Sequence, residues 1–341
     1  MRILAQKPRL ALLGAGSLIF AGVSLAQPQP ALPSAQAGTI GANEADFTVL
    51  TYNVKGLPWP VASGRPQALA RIGDRLAWMR QRGTQPSIVV LQEAFTPDAK
   101  AIGDRAGYRY QVVGEDHVTP PAGTIDRNWM IGETQGKQID SGLMILSDLP
   151  IEQVSRAAFP EDACAGYDCL AAKGVILVRV RVPGKGTVAI ATTHLNSKGA
   201  SMAPEVETTQ AYGRQVAFLG SFLDTHWDRA EPLILAGDFN LGQRPERLAL
   251  LPPVLAGLNG GGQPVDALRN LLRQGVVDGP KSGDARHVVE RARDMHYVFQ
   301  GSGAEYRAVA ADIPFGSEAD GEPLSDHFGY SIAFKRMGGA S

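Results

Sequence analysis

Phe47-Thr48-Val49-Leu50-Thr51-Tyr52-Asn53 is a run of β-branched, aromatic and aliphatic residues that stops on an amide side chain, and it reads as a strand. Downstream, Arg65 to Arg82 places Leu69, Ile72, Leu76 and Met79 three and four apart, the stripe of an amphipathic helix, with Gly83 as its stop. Ser87 to Gln92 is a continuous apolar run, the signature of a buried strand, and Thr96-Pro97 opens another helix with a capping side chain followed by proline. The unit is therefore strand, helix, strand, helix. Tyr108 to Val113 and Ser141 to Leu146 continue it on either side of a long Gly/Pro-containing segment, 114 to 140, whose length suits a functional loop.

The second half repeats the alternation. Gly174 to Val182 and Thr187 to Thr193 read as a hairpin around Pro183-Gly184-Lys185-Gly186. Pro204 to Trp227 has helical spacing, Leu233 to Gly237 is a strand, Leu248 to Leu258 and Val265 to Leu272 read as helices, and Met295 to Phe299 and Phe328 to Phe334 as strands. No linker or charge run divides residues 45–336, so one domain with two packed β-rich halves is expected there.

Upstream, Arg2, Lys7 and Arg9 precede an uncharged run from Leu10 to Leu25, which reads as a secretory signal over residues 1–26. It is short for a membrane span and contains three glycines. A Pro/Ala/Gln/Gly-rich segment, 27–44, reads as a disordered start of the mature chain. Removing residues 1–26 takes away three positive charges and no negative ones, moving the formal charge from −1 to −4. The expected location is outside the cytoplasm, secreted or periplasmic. There Cys164 and Cys169, the only cysteines of the 341 residues, are expected to form a small-loop disulfide, with buried free thiols as the alternative.

Five apolar strand runs stop at, or start from, an uncommon polar residue: Asn53, Glu93, His194, Asp238 with Asn240, and Asp326-His327. Each alone has a structural reading as a turn residue, cap or core histidine. Together they place polar groups on one end of a rigid sheet, where ligands gather. Asn53, Glu93, Asp238, Asn240 and Asp326 are hard oxygen donors, and the chain lacks a His/Cys zinc cluster, so Mg²⁺ is the expected metal, with Mn²⁺ or Ca²⁺ as possible substitutes. Histidine can move a proton near neutral pH.

Tyr52-Asn53, Gln92-Glu93, Thr193-His194-Leu195, Gly237-Asp238-Phe239-Asn240 and Ser325-Asp326-His327, in that order, resemble the endonuclease/exonuclease/phosphatase superfamily. The resemblance implies a four-layer α/β/β/α sandwich of two mixed sheets flanked by helices, and cleavage of a phosphoester by in-line attack of water. It implies Glu93, Asn53 and Asp326 on the metal side, Asp238 and Asn240 orienting water and phosphate, His194 stabilising developing charge, and His327 as general base. Asn53-Val54-Lys55-Gly56-Leu57-Pro58, Arg71-Ile72-Gly73-Asp74 and Ser141 to Ser147 look most like neutral sphingomyelinases, which implies hydrolysis of sphingomyelin to ceramide and phosphocholine at a membrane surface.

One position departs from the superfamily pattern. An Asp directly before an aromatic residue orients the base histidine in the family, but here His296 precedes Tyr297 and Asp294 lies two residues earlier, so Asp294 from a slipped position, His296 or another group serves. Trp59, Trp129 and Phe315 are the candidates for membrane contact. Two readings stand against the sphingomyelinase: a secreted nuclease, which a charge of −4 and the lack of a Lys/Arg cluster disfavour, and a catalytically inactive binding protein. An inositol-phosphate phosphatase ranks below the nuclease. No protein partner is expected.

Overall fold

The computed structural model describes residues 45–117, 123–277, 279–319 and 321–337. The expected signal segment 1–26, and the segment 27–44, lie outside the described residues. Two six-stranded mixed sheets pack face to face. The first is ordered β11 (Tyr306–Phe315), β12 (Gly329–Arg336), β1 (Phe47–Asn53), β2 (Ile88–Gln92), β4 (Met144–Ser147), β3 (Tyr110–Val113). The second is ordered β5 (Ile151–Ala158), β6 (Gly174–Val182), β7 (Gly186–His194), β8 (Leu233–Asp238), β10 (Asp294–Phe299), β9 (Val265–Asp266). Each sheet has one parallel pair at its centre, β1 with β2 and β7 with β8, and both pairs end toward the same polar cluster.

The period of two along each strand divides the residues between layers. Val49, Val90, Ile190 and Ile234 fill the space between the sheets, whereas Leu50, Leu91, Ala189 and Leu235 face outward under helices. On the first sheet those helices are α1 (Arg65–Gln81), α2 (Pro97–Lys100) and α3 (Ile102–Ala106); on the second, α4 (Glu205–His226), α5 (Pro245–Leu248) and α6 (Leu251–Leu258). Two more, α7 (Ala267–Arg273) and α8 (Lys281–Arg291), contribute Leu271 and Val288 to the inter-sheet core beside β10 and β11. The four-layer α/β/β/α sandwich follows.

Helix α1 ends as its sequence requires: Gly83 takes φ 69°, and the amides of Gly83 and Thr84 return to the carbonyls of Arg80 and Met79. Two expected helices shift. The segment 248–258 splits, because Pro252 and Pro253 can occupy the first turn of α6 but cannot continue a helix from α5. The segment 265–272 begins as β9, and its helix starts at Ala267, where the Asp266 carboxylate caps the Arg269 amide at 3.2 Å. Strands β5 and β11 and helix α8 were not expected at all.

Polar pairs also cross between the sheets. Gln92 Nε2 donates to Thr192 Oγ1 at 3.2 Å, and His296 Nε2 donates to the Val49 carbonyl at 3.1 Å. Both lie in the fully buried layer and fix one sheet's register against the other. Among the described residues no helix is long and apolar enough to cross a membrane.

Candidate active site

Asp238 closes β8, and strand pairing supplies its neighbours. His194 is its in-register partner on parallel β7, and Asp294 its partner on antiparallel β10. From the facing sheet come Asn53, at the end of β1 and in register with Gln92, and His327, just before β12. Three non-glycine residues just past strand ends stand in the left-handed region, Lys55 at φ 50°, Glu93 at φ 55° and Asn240 at φ 45°. Such backbone costs on the order of 1–3 kcal/mol and gathers at functional sites.

A single oxygen organises the cluster. Asp238 Oδ2 lies 3.1 Å from Asn53 Nδ2, 3.4 Å from His194 Nε2 and 3.7 Å from His327 Nε2. Asn53 Nδ2 also donates to Glu93 Oε1 at 3.0 Å, so Glu93 and His327 are joined through two shared atoms. The other Asp238 oxygen accepts the Asn240 amide at 3.0 Å. Burial opposes ionisation of Asp238, but His327 and His194 outweigh it and hold its carboxyl at about 2. Burial first, with a smaller push from the Asp238 charge, raises Glu93 against the Asn53 amide and the Lys173 and His327 charges. Among the described residues no Lys, Arg or His nitrogen forms an ion pair with Glu93, so its half-buried charge is only partly offset by the Asn53 amide and the Lys173 and His327 charges, a condition a divalent cation relieves.

His327 Nδ1 donates to Asp294 Oδ2 at 2.8 Å, and Arg293 Nη1 approaches Nε2 at 3.4 Å. Burial disfavours the imidazolium, yet Asp294 and Asp238 prevail and raise His327 to about 10. The orienting carboxylate is thus Asp294. His296 is fully buried away from His327, bonded to Val49 and edge-on to Tyr330. Asp238, Asp294 and His327 also present donor atoms all within 4.8 Å of one another, a group that could hold a metal ion.

Asp326, expected with Glu93, instead has a half-exposed side chain paired with Lys55 Nζ at 3.5 Å. Lys173, which the sequence did not single out, is buried with Nζ 3.2 Å from His194 Nε2 and 3.1 Å from Asp168 Oδ2. Burial first, then the Lys173 charge, drive His194 down to about 3, so it is neutral. Asp168 lies inside the loop closed by the Cys164–Cys169 disulfide and also accepts the Ser197 amide.

That loop adjoins an exposed apolar rim. Glu133 accepts the amides of Asn128 and Gly166, and the Tyr167 amide donates to the Ser201 carbonyl, tying three loops together. On them stand Trp129 (72% exposed), Met130 (69%), Tyr167 and Met202 (69%), while Trp59 (82%) stands on the loop after β1. Phe315 does not belong with them: it is buried and stacked on Tyr52 at 4.8 Å, because Gly329 opposite it leaves room for the Tyr52 ring.

Residues 50–327 match the endonuclease/exonuclease/phosphatase family. The sphingomyelinases of Mycobacterium tuberculosis and Mycobacterium bovis are 27% identical over 301 residues, covering 85% of this chain and 52% of theirs. The chain thus spans about half the length of these curated relatives. Among solved structures, humanized D. rerio TDP2 superposes with a TM-score of 0.55 at 16% identity, covering 85% of this chain and 98% of the other. Sphingomyelinase C from Streptomyces griseocarneus superposes with 0.54 at 22%, covering 84% and 98%. At those identities the structural likeness concerns the fold.

Proposed function

The chain belongs to the endonuclease/exonuclease/phosphatase family, and from that premise we propose that it is an exported, Mg²⁺-dependent phosphodiesterase that hydrolyses sphingomyelin to ceramide and phosphocholine. The observation that carries the hydrolytic reading is the convergence of Asn53, His194 and His327 on Asp238 Oδ2, with Glu93 one hydrogen bond further. The mycobacterial relatives and the exposed apolar side chains of Trp59, Trp129, Met130 and Met202 favour a lipid over DNA as substrate. The disulfide supports export, since such bonds persist in oxidising compartments.

In this reading Glu93 and Asn53 would hold the cation, while Asp326 stays paired with Lys55. The bound cation would polarise the phosphate and offset the carboxylate charge that keeps a proton on His327. His327 then accepts the proton of the attacking water, while Asp294 fixes Nδ1–H and leaves Nε2 as the basic atom. Asp238 and Asn240 orient the water and the phosphate. Lys173 supplies positive charge beside His194, where negative charge develops on phosphoryl and leaving oxygens. Asp294 Oδ2 and His327 Nδ1 already satisfy each other, and Asp238 is held by two amides, so that trio suits proton handling better than metal ligation.

The test is a panel of sphingomyelin, phosphatidylcholine, inositol phosphates and plasmid DNA, each with Mg²⁺ and with chelator. Phosphocholine release from sphingomyelin that stops with chelator is expected. Nicked DNA without phosphocholine would establish the nuclease reading instead.

A further inference from the structure

We propose that Arg247 is a positioning residue for hydrolysis, acting through Asn240. The proposal rests on the hydrolytic reading above, and its test separates the two. Arg247 belongs to α5, outside the catalytic motifs, and is only 2% exposed. Its Nη1 donates to two carbonyls at once, Asn196 at 2.8 Å and Asn240 at 2.6 Å. Those residues lie two positions beyond His194 and Asp238, the in-register ends of β7 and β8. One nitrogen thus clamps together the two loops that leave the parallel pair.

Energetics argue that the clamp serves more than packing. Among the described residues no carboxylate pairs with this buried guanidinium, and its Nη2 has no hydrogen-bond partner. Its remaining compensation is the Tyr212 ring, 4.4 Å from Cζ, and the charges of Asp168, Asp238 and Glu205 beyond ion-pair distance. An unpaired buried cation with an orphan donor destabilises a fold, so a neutral side chain would be the better loop staple.

What the cation does achieve is definite. Asn240 stands in the left-handed region at φ 45°, strained for a non-glycine residue. Its amide donates to Asp238 Oδ1, its Nδ2 donates to the Leu195 carbonyl at 3.0 Å, and its carbonyl accepts from Arg247. With those three groups engaged, Asn240 Oδ1 is the atom left to meet substrate or water. Asn196, at the clamp's other end, accepts the Ala165 amide and donates its own to Gln215, so the Asn240 carbonyl is tied to a rigid support. Arg247 therefore fixes the direction of Asn240 Oδ1.

The test is a double-mutant cycle of Arg247→Ala and Asn240→Ala in the full chain, assayed with Mg²⁺ on sphingomyelin and on bis(4-nitrophenyl) phosphate. Arg247→Ala should lower kcat roughly 10- to 100-fold with KM changed less than about threefold, and guanidinium ion should restore part of the loss. In the Asn240→Ala background the same substitution should cost less than about threefold, because its target is gone. Equal losses in both backgrounds, or a kcat within about twofold of wild type, would overturn the proposal. If Arg247→Ala fails to fold, Arg247→Lys carries the same cycle. Should wild type cleave no phosphodiester, the functional reading fails, and a crystal structure of Arg247→Lys decides the inference. Asn240 should then have left its positive φ, and an unchanged Asn240 would refute the clamp.

Discussion

Asp294 Oδ2 sits 2.8 Å from His327 Nδ1 although Asp294 opens β10 of one sheet and His327 precedes β12 of the other. Asp294→Asn keeps the shape but turns an acceptor into a group that can present N–H, which disfavours the required tautomer. A fall in kcat of about 10²- to 10⁴-fold with little change in KM is expected. His296→Gln, at the family's usual position for this carboxylate, should fall far less. Steady-state kinetics of both variants decides between the two residues.

Metal removal should act through Glu93. Burial raises this carboxyl in the fold, so its ionised form costs metal-free protein stability above the unfolded pKa, near 4.3. Glu93→Gln should therefore raise Tm in chelator while abolishing the rise in Tm that Mg²⁺ gives wild type. Thermal melts of both proteins, with and without Mg²⁺, provide the check, and an undiminished Mg²⁺ response in the variant would move the metal elsewhere.

Acid sensitivity should trace in part to His296. Burial pushes it down to about 3, against about 6.5 when unfolded, and its Nδ1 has no acceptor. The fold binds the neutral ring, so this contribution is complete above about pH 6.5 and is lost as pH falls toward 3. Wild type should lose Tm between pH 7 and pH 4 more steeply than His296→Leu. Parallel slopes would contradict the assignment.

Opening the Cys164–Cys169 bond should weaken catalysis before it unfolds the protein. The closed loop carries Asp168, which holds Lys173 against His194. A dithiol reductant should lower kcat about tenfold, with recovery on reoxidation, and Lys173→Met should lose about 10²-fold with or without reductant. Full activity of the reduced protein, its thiols counted, would show that the loop does not support Lys173.

The rim predicts a dependence on substrate form. Trp129→Ala and Met202→Ser should reduce the rate on sphingomyelin vesicles about tenfold and leave the rate on detergent-dispersed sphingomyelin unchanged. Equal rates on vesicles would assign these side chains to another surface role.

Strong periodicity made most of the fold legible. Helix α1 could be read because its buried stripe writes a spacing of three and four, and strands β1, β2, β6 and β8 because burial on both faces writes nearly continuous apolar runs. Strand β5 escaped because its Glu152, Gln153 and Ser155 lie on an edge strand with little to bury. Strand β11 escaped because shifts in register between Ala308 and Ala310, and between Asp312 and Phe315, break its alternation. Helix α8 buries only Ala285 and Val288.

At the site, Asn53, Glu93, His194, Asp238, Asn240 and His327 were legible as polar residues at ends of apolar runs, and the structure gathers them. Asp294 was one of two candidates, since sequence alone does not say how far β10 slides along β8; the pairing of Asp294 with Asp238 settles it. Lys173 and Arg247 were invisible for a different reason. Each acts through tertiary contacts made by segments far apart in the chain, and neither stands in a pattern.

Strand β1 is hydrogen-bonded to β12, so the earliest and latest strands of the catalytic layer are neighbours. Asn53 and Glu93 leave the ribosome long before His327, and until β12 docks, β1 lacks one of its two partners. A nascent chain halted anywhere before Ser325 has neither the proposed base, His327, nor the Ser325 hydroxyl that bonds the Asn53 carbonyl. In the proposed reading hydrolysis therefore waits on the synthesis of His327, and a copy cut short before it is harmless to the cell that makes it.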